Sequence, residues 1–351
     1  MIFGTYRTIL ALAVILHHLG GFWEMGRYAV FGFFILSGFL MNYILHNSYG
    51  YSTLGIRKYA LNRFLRIFPT FWLFAAFSLI LAYFFSIQYN NFHQLHGFPN
   101  STGNFLSNFF LIIFKGTDPR LIPQSWALTV ELIWYALIAF GISKTKRITL
   151  LWFVSSLIYT AVVNVLKLDW DWKYFSVLSA SLPFSTGAIL YHYRNEVSKV
   201  TNYFGATKFA LFFIILSIIN YLLFRSEFNL PFLRREIFFY ANYAFQGLAI
   251  AGLATTAVKS AKINTWDKEI GNLSYPMYLC HYVVAAPIFF IFGEAFSKGS
   301  PPIFLASILP ILLVSYLTVV FIDKPIERIR RKVKQAKKPE LEVEQGGAGN
   351  A

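Results

Sequence analysis

Arg7 and His18 stand eleven residues apart in the first long apolar run of the chain. On an α-helix, eleven steps of about 100° end about 20° past three full turns, so both side chains project from one face, with His18 roughly 16 Å further along the axis. His17 points about 100° away from that face. An imidazole titrates near neutral pH and can act as a general base. A guanidinium is a fixed cation whose planar fork matches phosphate. Ala11 and Val14 share the stripe between Arg7 and His18 and are small enough to leave a groove against a neighbouring helix. A plainer reading makes Arg7 a snorkelling anchor and His18 an inter-helix hydrogen bonder.

Few other ionisable residues interrupt the apolar runs. Glu131 follows SWALTV, and a carboxylate inside an apolar run must be paired or protonated, with a histidine or an arginine as the expected partner. His281 closes NLSYPMYLCH, with Tyr278 and Ser274 on its face and Pro276 interrupting the helical hydrogen bonds, a feature that often lines a cavity. Arg63 and Arg66 in NRFLRIFP share a helix face at the start of the third run, and two guanidinium groups so placed suit a phosphate-rich ligand. Each of these also has a structural reading: an ion pair, an inter-helix contact, a charge that sets orientation. Gly32, Ser37 and Gly38 in FGFFILSGFL read as a close helix-packing surface. His93 and His96 have metal-like spacing but no acidic or cysteine partner nearby, so no metal site is expected. The single cysteine, Cys280, excludes an internal disulfide and reads as a small buried hydrophobe.

The elements that position these groups follow from composition. Of 351 residues, 56% are hydrophobic and 13% charged, with mean hydropathy +0.52. A soluble domain carries about 25% charged residues to cover its surface. The 39 Phe, 21 Tyr and 8 Trp point the same way, which excludes a soluble enzyme, a disordered chain and a disulfide-stapled module. Reading for runs of about 20 apolar residues predicts an all-α polytopic membrane protein with about ten transmembrane helices, near 7–23, 29–46, 67–87, 125–143, 148–166, 175–193, 209–224, 237–258, 271–293 and 302–323. The run 105–114 is too short to span and reads as re-entrant or interfacial. No small-residue cleavage site follows the first run, so a cleaved signal is not expected. With both termini cytoplasmic, 22 of the 31 Lys and Arg fall on the inner side and 9 on the outer, as the positive-inside rule requires. The formal charge of +15 is therefore mainly topological and does not call for nucleic acid. Residues 1–335 read as one membrane domain, with a basic juxtamembrane stretch at its end, and 336–351 as a disordered cytoplasmic tail.

The segments RTILALAVILHH, FFILSGFL, RFLRIFP, SWALTVELIWY, LSYPMYLCH and IDKPIERI occur in the order found in the acyltransferase-3 family, which the chain resembles over roughly residues 5–330. The family's arginine–histidine motif matches Arg7 and His18, its paired arginines Arg63 and Arg66, its tryptophan–glutamate motif Trp126 and Glu131, and its late tyrosine–histidine motif Tyr278 and His281. Two departures are Asp323-Lys324-Pro325, where Glu-x-Pro is usual, and Leu132-Ile133, where a more polar pair is usual. The resemblance implies a membrane-bound O-acyltransferase of the bacterial cytoplasmic (inner) membrane. It would transfer an acyl group, foremost acetyl, from cytoplasmic acyl-CoA to a hydroxyl of a cell-surface or lipid-linked glycan. It further implies His18 as general base, oriented or relayed by Glu131 or His281, and Arg7, Arg63 and Arg66 on the CoA phosphates. Acyl-CoA is then a donor substrate rather than a resident cofactor, and the partners are that donor, the glycan acceptor and membrane lipid. No extracytoplasmic hydrolase-like domain, such as some relatives carry, appears in these residues, so transfer is expected to finish within the membrane domain. Direct transfer and a covalent acyl intermediate both satisfy these residues. The rival class is a proton-coupled transporter or flippase, which would also use midplane histidines and a carboxylate, although no inverted repeat and no need for a cytoplasmic arginine set supports it.

The charge asymmetry makes a direct prediction. Reporter fusions after residues 200 and 335 should read cytoplasmic and one near 170 external, and an external reading at 335 would overturn the assigned orientation.

Overall fold

The computed structural model describes residues 3–22, 24–114, 118–226, 230, 232–255 and 261–335. The stretch 336–351, expected to be a disordered tail, lies outside the described residues. Among the described residues the chain is all-helical, and seven helical segments are long and apolar enough to cross a membrane. These seven are Met25–Tyr49, Thr53–Phe84, Lys146–Val165, Thr207–Arg225, Arg235–Thr255, Lys262–Phe296 and Pro301–Gln335. Their outer faces carry apolar side chains such as Ile158 (59% exposed) and Leu309 (72% exposed), as a lipid-facing surface requires. The protein is a multi-pass membrane protein.

Three further expected spans are shorter helices. They are α1 (Gly4–His18, 15 residues), α6 (Trp126–Ala139, 14 residues) and α8 (Ser181–His192, 12 residues). At about 1.5 Å per residue they cover roughly 18–23 Å, less than a hydrocarbon core of about 30 Å. The reason is their surroundings: α1 packs against α2 (Met25–Ile44) and α12 (Ala261–Phe292), and α8 packs against α2 and α7 (Lys146–Val165). A helix packed between other helices is shielded from lipid along much of its length, which relaxes the need for a full spanning length. The segment expected to be too short to span is α5 (Thr102–Phe110), capped by Ser101, whose hydroxyl accepts from the Asn104 amide at 3.1 Å.

Two boundaries differ from the apolar pattern. Helix α3 runs from Thr53 to Phe84, starting fourteen residues before the apolar run, so Arg63 and Arg66 sit within a helix and not at its mouth. Its start is set by Ser52, which accepts from the Gly55 amide at 3.2 Å. At the other end, α13 (Pro301–Thr318) continues through a wide turn at Val319–Asp323 into α14 (Lys324–Gln335), which packs along α3. The basic juxtamembrane stretch is thus a helix docked on α3. A hydrophobic pattern cannot report this, because α14 is held by polar contacts with α3.

Helix α2 and α8 pack backbone to backbone. A Cβ at Gly38 would overlap the Phe184 carbonyl oxygen, and one at Gly187 would overlap the Ile35 carbonyl oxygen. Gly247 is different: the nearest atom to its Cβ position is a Thr186 methyl at 3.9 Å. Gly187→Ala should therefore lower the thermal unfolding midpoint of the detergent-solubilised protein, since overpacking costs about 1–3 kcal/mol. Gly247→Ala should leave the midpoint unchanged or slightly raised. Equal midpoints for both variants would contradict the close α2–α8 contact.

Candidate active site

The site is built where α1 meets α12. Asp267, near the start of α12, accepts from the Gly4 amide, the Thr5 amide and the Thr5 hydroxyl, each at 2.8 Å, and so caps the N-terminus of α1. A Cβ at Gly271 would overlap Gly4 Cα and come within 2.8 Å of an Arg7 Nη, so only glycine leaves room for the Arg7 guanidinium here. Ala11 and Val14 are fully buried. They do not form the expected groove: they fill the helix contact, because α12 has closed over that stripe. The space lies one face further round, among α2, α3, α6 and α12.

At the far end of α1, His18 reaches His281, with Nδ1 of the first 2.9 Å from Nε2 of the second. The Nδ1 of His281 is 2.8 Å from the Tyr278 carbonyl oxygen. A carbonyl only accepts, so that Nδ1 carries the proton; in a neutral ring Nε2 then accepts, and His18 Nδ1 donates to it. The network therefore assigns the lone pair of His18 to its Nε2. The two rings are stacked, with centroids 5.1 Å apart, and Tyr282 lies 5.0 Å from His18 and 4.5 Å from His281. Beyond Tyr282 stand His93 and His96, at 5.0 and 5.4 Å, and the Lys298 ammonium, 5.4 Å over its ring. Burial pushes the Lys298 ammonium down to about 8, so it carries its charge at neutral pH. His93 and His96 thus wall the histidine pair on the loop side. His17 turns away, with Nδ1 3.3 Å from the Phe22 carbonyl and its ring against Gly26, where it shapes the turn into α2.

On the other side of Tyr278 lies a cavity of about 140 Å³ lined by Arg7, Ser37, Arg63, Arg66, Glu131 and Tyr278 among apolar side chains of α2 and α6. Glu131 belongs to this cavity and not to the histidine pair. Its carboxylate accepts from the Ser37 hydroxyl at 2.7 Å, and that hydroxyl is 3.1 Å from the Tyr135 hydroxyl. The expected histidine or arginine partner is replaced by this hydroxyl pair, which α2 and α6 bring together and spacing along one helix cannot show. Among the described residues, no cation lies within ion-pair distance of Glu131. Of the two residues expected to orient His18, His281 lies within hydrogen-bond distance of it, whereas Glu131 bonds to Ser37.

A second cavity of about 270 Å³ shares Arg7, Arg63 and Arg66 with the first and has a strongly basic wall. Arg66 pairs with Asp323 at 3.5 Å and lies 5.5 Å from the Tyr275 ring centre; Asp323 also accepts from the Thr70 hydroxyl at 2.6 Å. The departure from Glu-x-Pro at Asp323 therefore keeps a carboxylate that holds Arg66. Arg63 donates to the Asn62 side-chain oxygen at 2.9 Å, and the Nε atoms of both Arg7 and Arg63 are buried with no hydrogen-bond partner. Buried donors without partners in a basic cavity suit an anionic ligand.

Sequence reasoning missed several residues. Gln124 donates to the carbonyls of Tyr278 and Leu279, both at 3.0 Å, and its own carbonyl accepts from the Tyr278 hydroxyl at 2.6 Å, which locks the start of α6 onto α12. Asn62, Asp267 and Asp323 likewise act through bonds between distant segments. The only local signal was a polar residue beside a motif. Cys280 is buried, its sulfur 3.6 Å from the Ser315 hydroxyl, as expected for a packing residue.

Comparison with known proteins agrees with this arrangement. The chain is 24% identical, over 91% of its length, to YrhL of Bacillus subtilis (strain 168), named as a candidate peptidoglycan O-acetyltransferase, of which it covers 54%. It is 25% identical, over 92% of its length, to the peptidoglycan O-acetyltransferase OatA of Listeria monocytogenes serovar 1/2a, of which it covers 55%. The chain therefore spans about half the length of the curated relatives it matches. No solved structure is significantly similar to it. A family model described as an acyltransferase domain matches residues 5–320, the stretch that contains every residue of the histidine pair, the inner cavity and its Asp267 support, and the chain accordingly belongs to the acyltransferase-3 family.

Proposed function

We propose that the protein is a membrane O-acetyltransferase that takes its acetyl group from cytoplasmic acetyl-CoA and esterifies a hydroxyl of a cell-wall or other surface glycan. The observation that carries this reading is the pairing of two unlike half-sites across Tyr278: a histidine with its lone pair on Nε2, and a cavity in which Arg7 and Arg63 keep buried Nε donors without a hydrogen-bond partner. The peptidoglycan named for both relatives supports a polymeric cell-wall glycan as the acceptor class. The reading includes ten membrane-traversing helices, short ones among them, with both termini in the cytoplasm. That orientation puts Arg7, Arg63 and Arg66 on the side where CoA is found.

In this scheme the arginines hold the phosphates of the donor through charge-assisted, bidentate bonds. Glu131 keeps the inner cavity unfavourable to phosphate, and its carboxylate can accept from an amide N–H of the donor's pantetheine arm. The thioester then comes to rest near Tyr278. His18 Nε2 takes the proton of the acceptor hydroxyl as its oxygen attacks the thioester carbon. As the carbon–sulfur bond breaks, the protonated imidazole returns that proton to the leaving sulfur, which gives the ester and free CoA thiol. His281 is a positioning residue: it fixes the tautomer and ring plane of His18, as an orienting partner does for other catalytic histidines.

His18→Ala should abolish glycan acetylation at normal expression, a loss of about 10²–10⁴-fold. His17→Ala, one residue away on another face, should keep a substantial share. Equal tolerance of both would refute the base assignment, and an acetyl group trapped on His18 by mass spectrometry would replace direct transfer with a covalent intermediate. His281→Ala should lower kcat while donor KM stays close to the wild-type value, whereas general misfolding would change both. On the donor side, Arg63→Lys should raise donor KM at nearly unchanged kcat, because an ammonium keeps the charge but loses the fork. Unchanged donor affinity in Arg63→Ala and Arg66→Ala would remove the phosphate role.

A further inference from the structure

The basic wall of the outer cavity includes a residue outside the arginine motifs. Arg330, from the docked helix α14, lines the cavity of about 270 Å³ beside Arg7, Arg63 and Arg66. Its Nε and Nη2 donate to the Asn62 side-chain oxygen at 3.2 and 3.1 Å, the same oxygen that accepts from Arg63. One neutral amide thus fixes two guanidinium groups side by side. Other cations of this wall are compensated: Lys268 lies 3.2 Å from Glu327, Lys324 2.9 Å from Glu269, and Arg66 3.5 Å from Asp323. Among the described residues Arg7, Arg63 and Arg330 have no carboxylate within ion-pair distance. Like charges held together and left uncompensated are unfavourable unless an anion joins them.

The depth of the arginines orders that anion. Arg7, Arg63 and Arg66 line both the inner and the outer cavity, while Arg330 lines the outer one alone. A CoA thioester is a linear ligand: its reactive sulfur is at one end, its pyrophosphate in the middle, and its ribose 3′-phosphate at the other end. With the thioester inward, the pyrophosphate falls among the deeper arginines and the 3′-phosphate reaches Arg330.

We infer that Arg330 is the specificity residue for the donor's terminal 3′-phosphate, so that the C-terminal helix completes the donor site and the enzyme distinguishes CoA from 3′-dephospho-CoA. This rests on the donor assignment proposed above and adds to it a residue and a selectivity.

The test is binding of CoA and of 3′-dephospho-CoA to the purified full-length protein by titration calorimetry, in detergent and in nanodiscs of zwitterionic or phosphatidylglycerol-rich lipid. Wild type should bind CoA about tenfold to a hundredfold more tightly than its dephospho form, the range for a charge-assisted bond to phosphate. In Arg330→Ala that ratio should fall to about one through loss of CoA affinity alone, with dephospho-CoA binding unchanged and serving as the folding control. Arg331→Ala removes the same charge one residue further on, from a side chain 61% exposed and paired with Glu327, and should keep the wild-type ratio. A ratio unaffected by Arg330→Ala, or an equal loss for both ligands, would overturn the inference while leaving the donor assignment intact. An Arg330 effect confined to phosphatidylglycerol nanodiscs would assign the residue to a lipid head group and overturn it too. Failure of wild type to bind CoA at all would sink the donor assignment itself.

Discussion

The site depends on how closely α1 lies against α12. Gly4 and Gly271 bring the two backbones into contact, and Asp267 ties the first amides of α1 to the start of α12. Together they fix the axial register of α1 on its neighbour. That register decides whether His18, at the last turn, meets His281, 263 positions away in the chain. A slip of one turn, about 5.4 Å, would separate the rings and withdraw Arg7 from the space Gly271 leaves for it. Packing small residues at the contact is what membrane interiors use in place of a hydrophobic driving force between helices.

From this contact the site divides into two electrostatic environments. Arginines gather at one end of the α1 stripe, and the histidine pair closes the other. Tyr278 stands between them, its hydroxyl fixed by the Gln124 carbonyl. In surroundings of low dielectric each unpaired guanidinium acts strongly on any anion that enters, so under the proposed function the arginines would fix where the donor's phosphates stop. The histidine pair holds no fixed charge of its own and is oriented by a backbone carbonyl. In the proposed reaction, charge would select and place the donor at one end, and the ordered ring of His18 would take the proton at the other.

The short inner helices follow from the same division. Side chains that must be held to fractions of an ångström are best carried on elements surrounded by protein. The longer helices α3, α7, α10 (Ala206–Arg225) and α13 take the lipid contact and shield them. Helix α14 then docks on α3 through Asn62 and brings Arg330 to the basic wall, so a segment that looks like an orientation signal also completes a cavity.

Much of this was legible in the residues alone. The apolar composition determined a helical membrane protein, because backbone polar groups in lipid must be satisfied within a helix. Helical arithmetic put Arg7 and His18 on one face, and the ordered motifs singled out Arg63, Arg66, Glu131 and His281. What spacing could not decide was which of these meet. Glu131 was expected to pair with a histidine or an arginine and instead bonds to the Ser37 hydroxyl, which also meets Tyr135. Ala11 and Val14 were expected to line a groove and instead fill a helix contact. The basic C-terminal stretch was read as a juxtamembrane orientation signal, and its docking on α3 and its place in the wall of a cavity came from the packing. Periodicity along a chain reports which face of a helix a residue occupies and nothing about the helix opposite it. The partner of each polar group is set by crossing geometry and axial register between segments hundreds of residues apart, and only the tertiary packing decides those.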